Sequence, residues 1–152
     1  MILRAMGLDV GDKTIGVAIS DSLLIIAQGY KTIERVGIRK DAGKVIDIAK
    51  EFECNKIVVG LPKMLNGTDS PQTLKVYEFK TMLENKLRSS GVKDIEIVFE
   101  DERFTTVIAE RVLISADVSR KDRKKVIDKQ AATIILQGYL DKMSNQAKNN
   151  GI

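Results

Sequence analysis

Met6 to Asp21 reads M-G-L-D-V-G-D-K-T-I-G-V-A-I-S-D, and its pattern decides the fold. An apolar run carries one carboxylate, Asp9, to the end of a strand. Gly11 follows at once, where a tight turn favours a residue with no Cβ. Thr14 to Ser20 then returns beside the first run, which makes a β-hairpin with an acid at its mouth. A carboxylate set in apolar sequence is costly to bury unless it is paired or bound to a cation, so Asp9 reads as a metal ligand. Two other readings stand beside this one. Aspartate often starts a turn by capping its own backbone, and D-x-G after a strand also occurs in phosphate-binding and dinucleotide-binding turns.

Composition narrows the chemistry. At 152 residues, 43% hydrophobic and 30% charged, the chain has the profile of a single soluble globular domain. Its longest apolar stretch, Leu23 to Ala27, is far too short to cross a bilayer, and Met1 to Met6 leads directly into a core strand with no signal-like segment. A cytoplasmic protein with no membrane partner is expected. The single cysteine, Cys54, reads as a core filler. The absence of histidine removes Ser-His and Cys-His pairs, histidine metal sites and histidine bases together. Catalysis must then run on carboxylates, lysines, hydroxyls or a bound metal. A net charge of +4 and a pI near 9.1 favour an anionic partner.

Beyond the hairpin, Ile25 to Ile33 reads as a third strand, with Gly29 marking a bulge or a close approach. Arg39 to Phe52 is an amphipathic helix, its apolar side carried by Ala42, Val45, Ile46, Ile48, Ala49 and Phe52. Lys56 to Gly60 is a short β-branched run of the kind found in buried parallel strands. Pro62 to Pro71 holds both prolines and Asn66-Gly67, and so is a loop at the strand's exit, where α/β sheets bind ligands. Gln72 to Ser90 is a longer helix ended by Gly91, and Ile95 to Phe99 is another buried strand that runs into Glu100-Asp101-Glu102-Arg103. Thr105 or Thr106 caps a helix through Ile114. Asp117 to Lys125 reads as a basic, solvated loop with five cations between Arg120 and Lys125. Val126 to Met143 is the last helix, with Asp128 near its start, and Ser144 to Ile152 is a polar tail expected to fray. The domain is thus expected to span residues 1–143 and a flexible tail 144–152.

The order β-β-β-α-β-α-β-α-α predicts an α/β fold. Its mixed five-stranded sheet joins a three-strand antiparallel meander to two parallel strands, with helices on both faces. An acid ends the first strand, another follows the last strand, and a third sits on the final helix, an arrangement similar to the ribonuclease H-like folds. Acids on separate elements can gather around Mg2+ or Mn2+, which need few protein ligands and complete their shells with water and phosphate.

The chain resembles the YqgF/RuvX family of Holliday junction resolvases within the ribonuclease H-like superfamily. Four blocks carry the resemblance in order: G-L-D-V-G-D-K-T-I-G-V-A-I-S-D from Gly7, I-V-V-G-L-P-K-M-L-N-G-T from Ile57, D-E-R-F-T-T from Asp101, and K-K-V-I-D-K-Q-A-A-T-I-I-L-Q-G-Y-L from Lys124. The loop departs from the family pattern in lacking an asparagine just before the methionine-like position. The resemblance implies a metal-dependent endonuclease that cuts phosphodiesters in structured RNA or branched DNA, in maturation of the 5′ end of pre-16S ribosomal RNA, in Holliday junction resolution, or in both. It implies Asp9 and Asp128 as the first-strand and last-helix acids, with Mg2+ or Mn2+ as cofactor. Glu102 or Asp101 is the third acid. Strand alternation sends those two to opposite sides, which favours only one of them, and Glu102 is preferred.

Around this set, Lys13, Thr14, Asn66 and Arg103 are candidate phosphate contacts, and Arg120, Lys121, Arg123 and Lys124 are a candidate backbone clamp. With three tyrosines, four phenylalanines and no tryptophan, recognition would rest on shape and backbone rather than on base stacking. Pre-ribosomal particles are a candidate partner, and the chain is expected as a monomer or weak homodimer. Two other functions fit parts of the pattern: a non-catalytic nucleic-acid-binding ribosome-assembly factor, and a nucleotide-binding phosphotransferase.

Overall fold

The computed structural model describes residues 3–63, 66–101 and 120–149, the last helix by its backbone alone over 120–128 and 147–149. Five strands are present: β1 (Arg4–Val10), β2 (Thr14–Ser20), β3 (Ala27–Glu34), β4 (Cys54–Leu61) and β5 (Glu96–Asp101). The helices among the described residues are α1 (Ile38–Glu51), α2 (Pro71–Ser89) and α3 (Arg120–Asn149). The sheet order is β3-β2-β1-β4-β5. β1, β2 and β3 pair antiparallel, while β4 and β5 extend the sheet in parallel with β1. This is the mixed sheet that the sequence predicts.

Strand alternation sorts the core into two layers. Met6, Leu8 and Val10 of β1 join Ile57, Val59 and Leu61 of β4 beneath α1 and α2, against Val45, Ile46, Val76, Phe79 and Leu83. On the other face Ala5, Ala18 and Val58 pack against Ala132, Ile135, Leu136 and Leu140 of α3. The small residues on this second face let α3 lie close. A Cβ added to Gly7 would fall 2.8 Å from the Ala132 carbonyl oxygen, so a glycine is what the contact requires. Gly29 fulfils both expectations set for it: the β2–β3 register shifts between Val17 and Ala18, and a Cβ at Gly29 would meet Lys129 Cγ at 2.7 Å.

α2 starts at Pro71, one residue before the expected Gln72, and Gly91 follows its end as expected. Ser70 caps the helix and exchanges hydrogen bonds with Thr73, Pro71 follows in the first turn, and Gly91 closes the end at φ +72°.

Several boundaries differ from the sequence expectation, three of them as follows. β3 begins at Ala27 rather than Ile25, because the Asp21 carboxylate accepts hydrogen bonds from the Ile25 and Ile26 amides at 2.8 and 3.1 Å and turns the chain first. Leu23 to Ile26 are therefore exposed. Second, the basic segment expected as a loop is helical from Arg120, and Asp128 lies more than two turns inside α3 rather than near its start. Lys and Arg are good helix formers, so they prolong a helix that Ala131 to Leu140 anchor. Third, α3 continues past Met143 to Asn149 in place of a fray at Ser144. The helix expected up to Ile114, and Glu102 and Arg103, lie outside the described residues. Cys54 is buried as expected, and burial pushes its thiol up to about 11, with Arg4 opposing in part. Among the described residues no helix is long and apolar enough to cross a membrane.

Candidate active site

Because β1, β4 and β5 run parallel, their carboxyl ends share one edge of the sheet. Asp9, the loop after Leu61 and Asp101 all stand at that edge, as does Thr14, the first residue of β2. Asp9 is half-buried and alternates with Leu8 and Val10, so it belongs to the α3 face. It pairs with Gly16 of β2. On its other side the register from Leu8 and Val59 leads to Gly60. Asp128 is carried by α3, one turn before Ala132, and it is Ala132 and Leu136 that rest on Gly7 of β1.

Asp101 is in register with Leu61, whose side chain lies under α1 and α2. The pleat therefore puts Asp101 on the face opposite Asp9. Glu100, in register with Gly60, falls on Asp9's face, nearly buried, with Oε1 2.9 Å from Lys142 Nζ. Glu100 is thus a salt-bridged residue on that face.

The turn that follows Asp9 is held from outside the hairpin. Gly11 N–H donates to the Thr14 carbonyl at 2.9 Å, which closes it. Arg35 Nη1 donates to the Gly11 carbonyl at 2.8 Å, its backbone N–H donates to the Lys13 carbonyl at 2.9 Å, and its Nε binds Asp41 Oδ2 at 2.9 Å. Gln72 of α2 donates to the Val10 carbonyl at 3.0 Å. Lys75 pairs with Asp12 at 2.9 Å. Asp41 is fully buried. Burial pushes its carboxyl up, but the Val36 amide, Arg35 and the Gly37 amide together outweigh that and hold it below the usual carboxylate range. Sequence reading missed Arg35, Asp41 and Gln72. The one local signal was Asp41, a carboxylate in the first turn of a helix that Gly37 cannot cap with a side chain.

Lys13 is exposed in the turn, four positions after Asp9. Asn66 is exposed in the loop after β4, its Oδ1 accepting from the Thr68 amide and hydroxyl at 3.1 and 2.7 Å, so that the carboxamide shapes its own loop. Lys63 and Asp69 bridge that loop's base, and Thr73 Oγ1 ties Pro62 to the start of α2. Arg120, Lys121, Arg123 and Lys124 occupy the first two turns of α3.

Among the described residues no group of three metal-ligating side chains is assembled; of the three predicted ligands, only Asp9 has a described side chain. The donor chemistry still fits one class of ion. The edge offers carboxylate oxygens, the chain has no histidine, and its single thiol is buried away in β4. Such donors suit a hard divalent cation such as Mg2+ or Mn2+, not zinc or copper.

Residues 3–142 match the RuvX family, described as Holliday junction resolvase. A protein of Clostridioides difficile named "Putative pre-16S rRNA nuclease" is 56% identical over 138 residues, covering 91% of this chain and 94% of its own length. A protein of Clostridium tetani with the same name is 51% identical over 144 residues, covering 95% and 100%. In fold, the chain is similar to Thermus thermophilus RuvC in complex with a Holliday junction substrate, with a TM-score of 0.54 at 13% identity over 93% of this chain and 96% of that one. It is also similar to the yeast mitochondrial Holliday junction resolvase, with a TM-score of 0.55 at 13% identity over 91% and 78%. Matched over nearly its whole length by the family and by relatives more than half identical, the chain belongs to the RuvX family of Holliday junction resolvase-like nucleases.

Proposed function

We propose that this chain is a metal-dependent endonuclease that hydrolyses phosphodiesters in structured RNA, with the 5′ end of pre-16S ribosomal RNA as its substrate. One observation carries the reading: Asp9 ends the central strand on the face where α3, which bears Asp128, is seated on Gly7. Asp9, Glu102 and Asp128 are the proposed ligands of Mg2+ or Mn2+. Asp101 is set aside because its register assigns it to the opposite face. When bound, the cations supply an activated water and charge stabilisation for the leaving oxygen.

The chain's own residues have separate tasks. Asp9 presents its carboxylate from a turn whose carbonyls Arg35 and Gln72 hold. Lys13 and Thr14, next along the chain, engage the phosphate, and Asn66, Gly67 and Thr68 line the approach after β4. Arg103 adds a further phosphate contact. Arg120, Lys121, Arg123 and Lys124 clamp the nucleic-acid backbone from the start of α3. The substrate choice rests on the names of relatives about half identical to this chain. Branched DNA is the second reading, favoured by the family's description, and paired symmetric cuts would then need a second copy of a chain that otherwise works as a monomer or weak homodimer.

The test is cleavage of precursor 16S RNA and of a four-way DNA junction by the purified chain with Mg2+ or Mn2+. RNA cut faster than the junction, and activity abolished in Asp9→Asn at unchanged melting temperature, are expected. Equal cutting by Asp9→Asn and the natural chain would contradict the proposal.

A further inference from the structure

We infer that Arg35 is a positioning residue for Asp9, acting through the turn that follows it; the inference rests on the reading of Asp9 as a cation ligand given above. The three residues Gly11 to Lys13 link β1 to β2, and their conformation fixes where the end of β1 points. Inside the hairpin the Gly11 N–H donates to the Thr14 carbonyl and closes the turn. Arg35 adds two more, from Nη1 to the Gly11 carbonyl and from its own amide to the Lys13 carbonyl, at 2.8 and 2.9 Å.

The guanidinium is itself immobilised. Its Nε is bound by Asp41, which has no solvent exposure and also accepts from the Val36 amide at 3.0 Å. Its plane lies over the Phe79 ring, with Cζ 5.4 Å from the ring centroid. Turn, buried carboxylate and aromatic ring are thus joined through one rigid fork, a geometry that a lysine ammonium cannot reproduce because it acts as a point charge on a flexible stem. Gln72 Nε2 holds the Val10 carbonyl from α2 at 3.0 Å. The carbonyls of Val10 and Gly11, the two residues after Asp9, are therefore each held by a side chain from outside the hairpin. Cation binding that uses the Asp9 carboxylate depends on how accurately that carboxylate is placed, and outer partners of ligands typically change affinity about 10- to 100-fold.

The experiment titrates Mn2+ by calorimetry into the full-length natural chain, Arg35→Lys, Gln72→Met and Asp9→Asn, each checked for a folded baseline by thermal denaturation. Arg35→Lys is expected to weaken Mn2+ binding about tenfold while folded, as a lost outer partner does. Gln72→Met, which removes a donor without touching the Asp41 pair, is expected to weaken it in the same direction and reads the same linkage if Arg35→Lys does not fold. Asp9→Asn is expected to weaken it most. If Asp9→Asn loses binding while folded Arg35→Lys and Gln72→Met bind Mn2+ as the natural chain does, the role of Arg35 is overturned and that of Asp9 stands. If Asp9→Asn binds as the natural chain does, the reading of Asp9 fails and this inference falls with it.

Discussion

Gly7 and Leu136 meet so closely that a Cβ on the glycine would lie 2.7 Å from the Leu136 Cβ. That contact fixes the distance between the central strand and the helix that carries Asp128. Gly7→Val should force α3 away from the sheet, at about 1–3 kcal/mol for overpacking, and should abolish cleavage. Gly43→Ala is the matched control. Its new Cβ, within helix α1, meets the end of the flexible Lys86 side chain, with Nζ at 3.4 Å, so a gain of about 0.5–1 kcal/mol is expected from helix propensity. Thermal denaturation of the two variants measures both signs.

Asp41 makes stability depend on pH in a direction that follows from its surroundings. Its carboxyl is held below the usual range, so the unfolded chain takes up the proton more readily. The stabilisation is complete above the unfolded value of about 3.9 and is lost as pH falls through the lower folded value. Asp41→Asn should cost about 3–5 kcal/mol, because Arg35 is left without its buried partner. Urea denaturation between neutral and strongly acidic pH should show the natural chain losing stability at the acid end and the variant losing less over the same interval.

Glu53 follows α1 with φ 55°, in the left-handed region. Its N–H donates to the Lys50 carbonyl and its carbonyl accepts from Arg4, so the backbone is held there while the side chain is exposed. Glu53→Gly should stabilise the chain by about 1 kcal/mol, since a non-glycine residue carries a penalty of about that size in this conformation. A rise in the urea midpoint with an unchanged slope is the expected readout.

The cations at the start of α3 should govern the salt dependence of binding. Replacing Arg120, Lys121, Arg123 and Lys124 by Gln, one at a time, should each lower the slope of log affinity against log salt by about 1 if each contacts a phosphate. Filter binding to precursor 16S RNA at several salt concentrations checks this, and an unchanged slope in all four would remove the clamp.

What the sequence made legible was local. The apolar run that carries Asp9, the Gly11 turn, the helical spacing of Val45, Ile46 and Ala49, and the Gly91 end of α2 each state their structure within a few residues. The pairing of Arg35 with Gly11, 24 positions apart, and of Gln72 with Val10, 62 apart, has no local signature, because only the folded sheet makes these residues neighbours. The same limit explains two of the misplaced boundaries. Ile25 and Ile26 look like strand until the Asp21 carboxylate captures their amides, and Arg120 to Lys125 look like loop until a helix anchored further on extends through them. In the sequence, alternation opposes Asp101 to Glu102; in the structure, the β5 register puts Asp101 on the face opposite Asp9.

The central claim is that Asp9 and Asp128, 119 positions apart in the sequence, share a cation at the edge of the sheet. A crystal soaked in Mn2+ and measured at the manganese absorption edge tests this most directly. The account predicts an anomalous peak with carboxylate oxygens of Asp9 and Asp128 both in its coordination shell, at about 2.0–2.3 Å. Manganese bound elsewhere, with the two carboxylates joined neither by an ion nor by an ion-bound water, would contradict it.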